Sequence, residues 1–169
     1  MDVGSVATRQ PKSPAVVNET CLWLTEPGSD DRASFQLDLG MPIRIVRLGT
    51  PRAADEGLRL GTVRRPPRGV PKADFAKRDF YDVWLPELAP SGDVVSSALS
   101  EPWTPGRWKK FSRTYLKEMR EPHARHLIST LAALSHQTNL AVGCYCADEA
   151  HCHRSLLRDL LIAEGADVA

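Results

Sequence analysis

The spacing of apolar residues changes character at Met41. Before it, "SVATRQPKSP" and "TEPGSDDRAS" are polar and turn-rich, with only short apolar scraps such as Leu22 to Leu24. Such a segment offers little surface to bury, so residues 1–40 are expected to be an extended or mobile N-terminal extension. After it, "PIRIVRL" places Ile43 and Ile45 in alternation with Arg44 and Val46, the period-two spacing of a strand. Because this strand follows Met41 at once, Met41 is a candidate initiator, with the upstream residues an over-extended reading frame.

"GLRLGTVRR", Gly57 to Arg65, predicts a second strand, and "PPRGVPK", Pro66 to Lys72, must break it. Pro66, Pro67 and Pro71 lack amide donors, and Gly69 admits backbone conformations closed to other residues. The result is a stiff loop carrying Arg64, Arg65, Arg68 and Lys72, restrained before any anion arrives. In "DFYDVWLPELAPS" the residues Phe80, Trp84 and Leu88 recur every fourth position, but Pro86 removes a helical hydrogen bond. The prediction there is a short helix ending near Trp84 or Leu85, with its aromatics in the core.

Ser91 is suited to cap a helix running to about Leu99. "RWKKFSRTYLKEM" then puts Trp108, Phe111, Tyr115 and Met119 on one stripe, with Lys109, Lys110, Arg113 and Lys117 around the rest. A further helix starts at Pro122 and buries Leu127, Ile128, Leu131 and Leu134, while His123 and His126 form an exposed pair on it. "NLAVGCYC" reads as a buried strand with Leu140, Val142, Cys144 and Cys146 on one face and Ala141, Gly143 and Tyr145 on the other. "ADEAHCHR" is a loop, and "SLLRDLLIAEG" is a helix that turns Leu156, Leu157, Leu160 and Leu161 to the sheet and stops at Gly165.

Strands alternating with helices predict an α/β fold: a single three-layer domain over residues 41–169, with a mostly parallel sheet flanked by helices. A chain of 169 residues, 42% hydrophobic and 25% charged, suits one such domain. Asp2 and the absence of a long apolar run exclude a membrane partner and argue for a cytoplasmic protein. Three of the four cysteines lie between positions 144 and 152, unlike a secreted disulfide framework, so the thiols are expected reduced.

The net charge of +1 conceals segregation: residues 44–78 carry +7 and residues 102–126 carry +5, against acidic stretches elsewhere. Brought together, the two basic blocks would form a face for phosphates, on a nucleotide or a nucleic acid; apart, they are solvated surface.

The chemistry concentrates in "CYCADEAHCHRS", Cys144 to Ser155. Cys144, Cys146, His151, Cys152 and His153 nominally exceed the four ligands of a zinc site, but Cys-Tyr-Cys is one residue short of the usual knuckle, so no metal is expected. The short spacing would also strain a disulfide between Cys144 and Cys146. A strand-to-helix junction offers an anion site at the helix amino end, where Cys152 is the natural thiol to have its pKa lowered. His151 or His153 would move a proton, and Asp148 or Glu149 would serve as base or orienter. Arg154, Ser155 and Cys146 would contact the ligand; Cys144 reads as a small buried hydrophobe.

Taken together, "VWLPELAPS", "WKKFSRTYLKE" and "CYCADEAHCHRSLL" resemble the domain of unknown function 488 family over roughly residues 42–163. Where that family often has Arg-Leu-Trp-Pro-Arg-Gly, this chain has "RRPPRG", keeping Arg64, Pro67, Arg68 and Gly69. Cys152, His153 and Arg154 match a Cys-His-Arg element found in part of the family, which implies a subgroup that has kept a chemistry. The resemblance also implies an α/β fold with a mostly parallel sheet.

The expected protein is therefore a hydrolase or group transferase acting on a phosphate-bearing small molecule such as a nucleotide, or on a nucleic-acid base. No cofactor is expected, since no glycine-rich nicotinamide or flavin fingerprint is present. The competing classes are a non-enzymatic nucleic-acid-binding module and a zinc-stabilised structural domain.

Overall fold

The computed structural model describes residues 42–169, and its sheet is organised around "LAVGC", a strand buried at every position. In chain order the strands are β1 (Ile43–Arg47), β2 (Leu58–Gly61), β3 (Val83–Trp84) and β4 (Leu140–Cys144). The helices are α1 (Gly92–Leu99), α2 (Pro105–Glu118), α3 (Pro122–Leu134) and α4 (His153–Ala163). The four strands are all parallel in the order β1-β4-β2-β3, so β4 is paired on both sides. A strand covered on both faces needs a continuous apolar run, which β4 has. The extension expected over residues 1–40 lies outside the described residues.

One face of the sheet carries the helical core. Ile43, Leu60, Leu140 and Val142 pack with Tyr115 and Met119 from α2 and its end, Ile128 and Leu131 from α3, and Leu157 and Leu161 from α4. The other face is closed by loops rather than by α-helices, and two of the sheet positions there are glycines. A Cβ on Gly61 would stand 2.3 Å from the ring of Tyr81, and one on Gly143 would stand 2.5 Å from Leu48. Gly61 and Gly143 are thus required for close approach of this thin third layer.

Arg59 rises from β2 into the same layer and is fully buried. Its guanidinium pairs with Glu56 through both carboxylate oxygens and donates to the carbonyls of Thr50 at 2.9 Å and Asp79 at 2.6 Å. Glu56 also accepts from the Ala53 amide, so no member of the buried pair is left unsatisfied. Burial pushes the Glu56 carboxyl up, but the hydrogen bond and charge of Arg59 overcome it and hold it below the usual carboxylate range.

The short helix expected before Leu85 is instead strand β3 followed by a 3-10 turn, Pro86–Leu88. Val83 and Trp84 are β-branched and aromatic, and the edge of β2 offers unpaired groups: Asp82 N–H donates to Arg59 O at 2.9 Å and Leu85 N–H to Gly61 O at 3.0 Å. The four-residue spacing of Phe80, Trp84 and Leu88 does not mark one helix face: Trp84 is 43% exposed, Leu88 enters the helical core, and Phe80 packs against the separate cluster of Leu48, Val63 and Tyr81. Ser91 precedes α1 as expected but caps nothing with its side chain; its amide donates to Glu118 at 3.0 Å. In α3, Leu134 is 39% exposed rather than buried, and the helix instead buries Ala124 and Ala132. His123 and His126 are exposed. No helix among the described residues is long and apolar enough to cross a membrane.

Candidate active site

Parallel strands deliver their carboxyl ends to one side of the sheet, and the loops that follow build a crevice there. β2 continues through Thr62 and Val63 into the proline-stiffened arginine loop, and β4 continues through Tyr145 into Cys146. Between them lies a cavity of about 850 Å³. Its polar lining includes Arg64, Arg65, Arg68, Cys146, His151 and His153; its apolar walls include Phe80, Val95, Trp103, Phe111 and Tyr145. The two basic blocks do meet at this cavity, but the second contributes aromatic rings rather than lysines. Lys72 stands in the short 3-10 turn Lys72–Asp74, exposed and away from the cavity.

The arginines divide by what they already hold. Arg64 donates to the carbonyls of Pro90 and Ala89, each at 2.9 Å, which fastens the arginine loop to the entry of α1. Arg65 and Arg68 are exposed and pair with no acidic group among the described residues. Their charge is available to a ligand.

Three thiols converge beneath this space. The sulfurs of Cys144, Cys146 and Cys152 all lie within 4.8 Å of one another, and Cys144 and Cys146 are 3.6 Å apart. Cys152, expected to be the activated thiol, is 1% exposed and does not line the cavity. Its proton is held by Cys144 and Cys146 and by burial, so its pKa lies well above the ordinary thiol range, the reverse of the sequence expectation. The exposed member is Cys146, whose pKa is lowered because the thiols of Cys144 and Cys152 donate to its sulfur, aided by the positive charge of Arg154. Position along the helix dipole favoured Cys152; access and neighbouring thiols favour Cys146.

The rest of the Cys-His-Arg element is structural in its contacts. His153 is 5% exposed, with Nε2 donating to Thr62 O at 2.7 Å and Nδ1 facing the Cys152 sulfur at 3.8 Å. Burial depresses its pKa to about 4, so the ring is neutral. Arg154 was expected to grip the ligand, but its buried guanidinium turns to the carbonyls of Cys146 at 2.9 Å and Cys144 at 3.5 Å. Its Nε has no hydrogen-bond partner among the described residues. Glu149 is committed to ion pairs with Arg158 and, at 3.6 Å, Arg154, which removes it from acid-base duty. The Ser155 hydroxyl donates to Cys152 O at 2.8 Å and is likewise spent on the fold.

His151 is the exception. Nδ1 lies 2.7 Å from Asp148 Oδ2, and the other Asp148 oxygen accepts from the Ala150 amide at 2.9 Å. The carboxylate is thereby fixed, and its bond to His151 comes first among the causes that lower its pKa. The imidazole is also clamped between rings, stacked on Trp103 with centroids 5.9 Å apart and edge-on to Trp108 at 5.5 Å. A donor Nδ1 leaves Nε2 as the acceptor on the cavity wall.

The sequence reading missed the aromatic wall. Trp103, Phe111, Phe80 and Tyr145 were read as core or left unassigned, yet each lines the cavity. The available signal was density: Trp103, Trp108 and Phe111 fall within nine residues, more rings than one helix stripe needs. Thr62, which holds His153, carried no signal at all.

A family model described as DUF488-N3a, active DUF488-N3 subclade, matches residues 43–165. No curated protein and no solved structure matches the chain.

Proposed function

The chain belongs to the DUF488 family, and on that premise we propose that its cavity is the active site of a hydrolase or group transferase. The substrate class is a phosphate-bearing molecule with a flat ring, such as a nucleotide. The observation that carries this reading is the Asp148–His151 pair set at 2.7 Å on a wall shared with aromatic rings and two uncommitted arginines. Rings stack on a base, guanidinium groups take phosphate oxygens, and a histidine oriented by a carboxylate moves a proton between them.

In the proposed reaction, His151 Nε2 removes a proton from water or an acceptor hydroxyl. That oxygen forms its bond to the electrophilic carbon or phosphorus of the substrate as the bond to the leaving group breaks. The leaving group departs with the proton His151 had taken. Asp148 holds the imidazole in the tautomer the step needs and stabilises its cationic form.

The test is a panel of mono- and dinucleotides, followed by equilibrium binding and by chromatography of products. Saturable binding is expected, with Arg65→Ala and Arg68→Ala raising KM. His151→Asn is expected to lower kcat by at least about 100-fold with little change in KM. If the wild-type chain turns over no member of the panel and instead binds polynucleotides with an affinity that falls steeply with salt, the nucleic-acid-binding reading replaces this one.

A further inference from the structure

We propose that Cys144, Cys146 and Cys152 form a metal site of the soft-ligand class, selective for zinc, whose fourth coordination position opens on the cavity. This goes beyond the acid-base reading of His151 and stands without it, because it concerns different side chains.

The geometry is close to that of a metal-bound set. With zinc–sulfur bonds of about 2.3 Å, the edge of a tetrahedron is roughly 3.8 Å. The Cys144–Cys146 separation is 3.6 Å, and all three sulfurs lie within 4.8 Å of one another. Closing the triangle therefore requires movement of roughly 1 Å at most. The Cys-Tyr-Cys spacing that argued against a knuckle does not matter here, because the third sulfur arrives from the amino end of α4 rather than from the same turn.

Burial as hydrophobes explains only part of the cluster. Cys144 and Cys152 are buried, but Cys146 is an exposed residue, and a surface thiol with no shared role would not hold its sulfur within 4.8 Å of theirs. The surroundings also fit an anionic group. Arg154 is a buried cation whose Nε makes no hydrogen bond among the described residues and meets the carboxylate of Glu149 only at 3.6 Å, a carboxylate that is shared with Arg158. Three thiolates with one divalent cation carry a single negative charge, which that guanidinium balances. The same Arg154 fixes the carbonyls of Cys144 and Cys146, so the backbone carrying two of the sulfurs is already positioned.

Three sulfurs select against magnesium and calcium, which take oxygen ligands, and favour zinc. Binding needs no redox step: the metal forms three bonds to sulfur, and the thiol protons pass to solvent. Cys144 and Cys146 line the cavity and Cys152 lies behind them, so the remaining tetrahedral position faces the space. Water or a substrate atom would occupy it there, as in sites with three protein ligands.

The experiment uses the full chain, purified reduced and without chelator. Elemental analysis is expected to give one zinc per chain. Cobalt replacement is expected to give thiolate-to-metal charge-transfer absorption and the d–d bands of a tetrahedral site, which shift when imidazole or a small thiol is added. Cys146→Ser, an exposed position whose fold is checked by circular dichroism, is expected to lose zinc to a chelator that the parent resists. A folded, reduced wild-type chain that takes up no more zinc or cobalt than Cys146→Ser overturns the site. So does stoichiometric copper in place of zinc. Cobalt bands indifferent to every added ligand overturn the open fourth position. Metal content and spectra are read without turnover, so their outcome is separate from that of His151→Asn.

Discussion

Replacing Arg59 by Met tests the thin loop-built layer directly. The side chain is fully buried, donates to Glu56 and to two loop carbonyls, and is matched in length by Met. Removing it leaves the Glu56 carboxylate, 3% exposed, without its counter-charge, and strips the Thr50 and Asp79 carbonyls of a donor. Breaking one side of a buried ion pair costs about 3 to 5 kcal/mol. In a domain of this size that lowers Tm by roughly 10 to 20 °C, and it removes a large share of a total stability of about 5 to 15 kcal/mol.

Urea unfolding followed by circular dichroism measures the loss. The double variant Glu56→Leu/Arg59→Met should recover much of it, because it removes the stranded charge. The pH dependence has a definite sign. In the parent, Glu56 is held below its unfolded pKa, so its contribution is present above about pH 4.5 and fades as pH falls below it. In Arg59→Met the same carboxyl is buried without a partner, its pKa rises, and the penalty shrinks on acidification. The gap between parent and variant should therefore narrow as pH falls. An Arg59→Met protein within 1 kcal/mol of the parent at pH 7 would refute this account of the pair.

Gly61→Ala should cost about 1 to 3 kcal/mol by thermal melt, since its Cβ would stand 2.3 Å from the Tyr81 ring. Tyr115→Phe should cost about 1 kcal/mol in urea, because the buried hydroxyl that donates to Leu88 O at 3.0 Å would leave that carbonyl short of a donor. Under the proposed reaction, Asp148→Asn should lower kcat by at least about tenfold while leaving the melting temperature unchanged, since the carboxylate is exposed and bonds to His151 Nδ1.

What could be read from the chain was whatever depends on local period. The core stripe of α2 ending in Tyr115 and Met119, the run of β4 and the leucines of α4 are each patterns within a dozen residues, and each stands where expected. β3 was misread because two residues make a strand only when a neighbour's edge is present, and that edge is Leu60 and Gly61. Two sides of the crevice were legible, from the strand-to-helix junction and from the prolines of the arginine loop, whereas its aromatic wall was not. Side-chain direction was not. Whether Cys152 or Cys146 meets the cavity depends on how α4 seats against β4, and whether Arg154 points outward or to a carbonyl depends on the turn between them. Both are decided by how neighbouring elements pack, which local period does not encode.

Three consecutive residues at the start of α4 hold the sheet, two of them at the end of β4 and one beyond β2. Cys152 meets the sulfurs at the end of β4, His153 bonds to Thr62 beyond β2, and Arg154 holds the carbonyls of Cys144 and Cys146. The helix is therefore riveted to two adjacent strands at one point, and that wall of the crevice behaves as a fixed anvil. Under the proposed function, ligands of different size are taken up by the opposite jaw, the arginine loop, which Arg64 tethers through two carbonyls. Exchanging residues of that jaw alters which molecules fit; exchanging a rivet alters whether there is a wall for them to fit against.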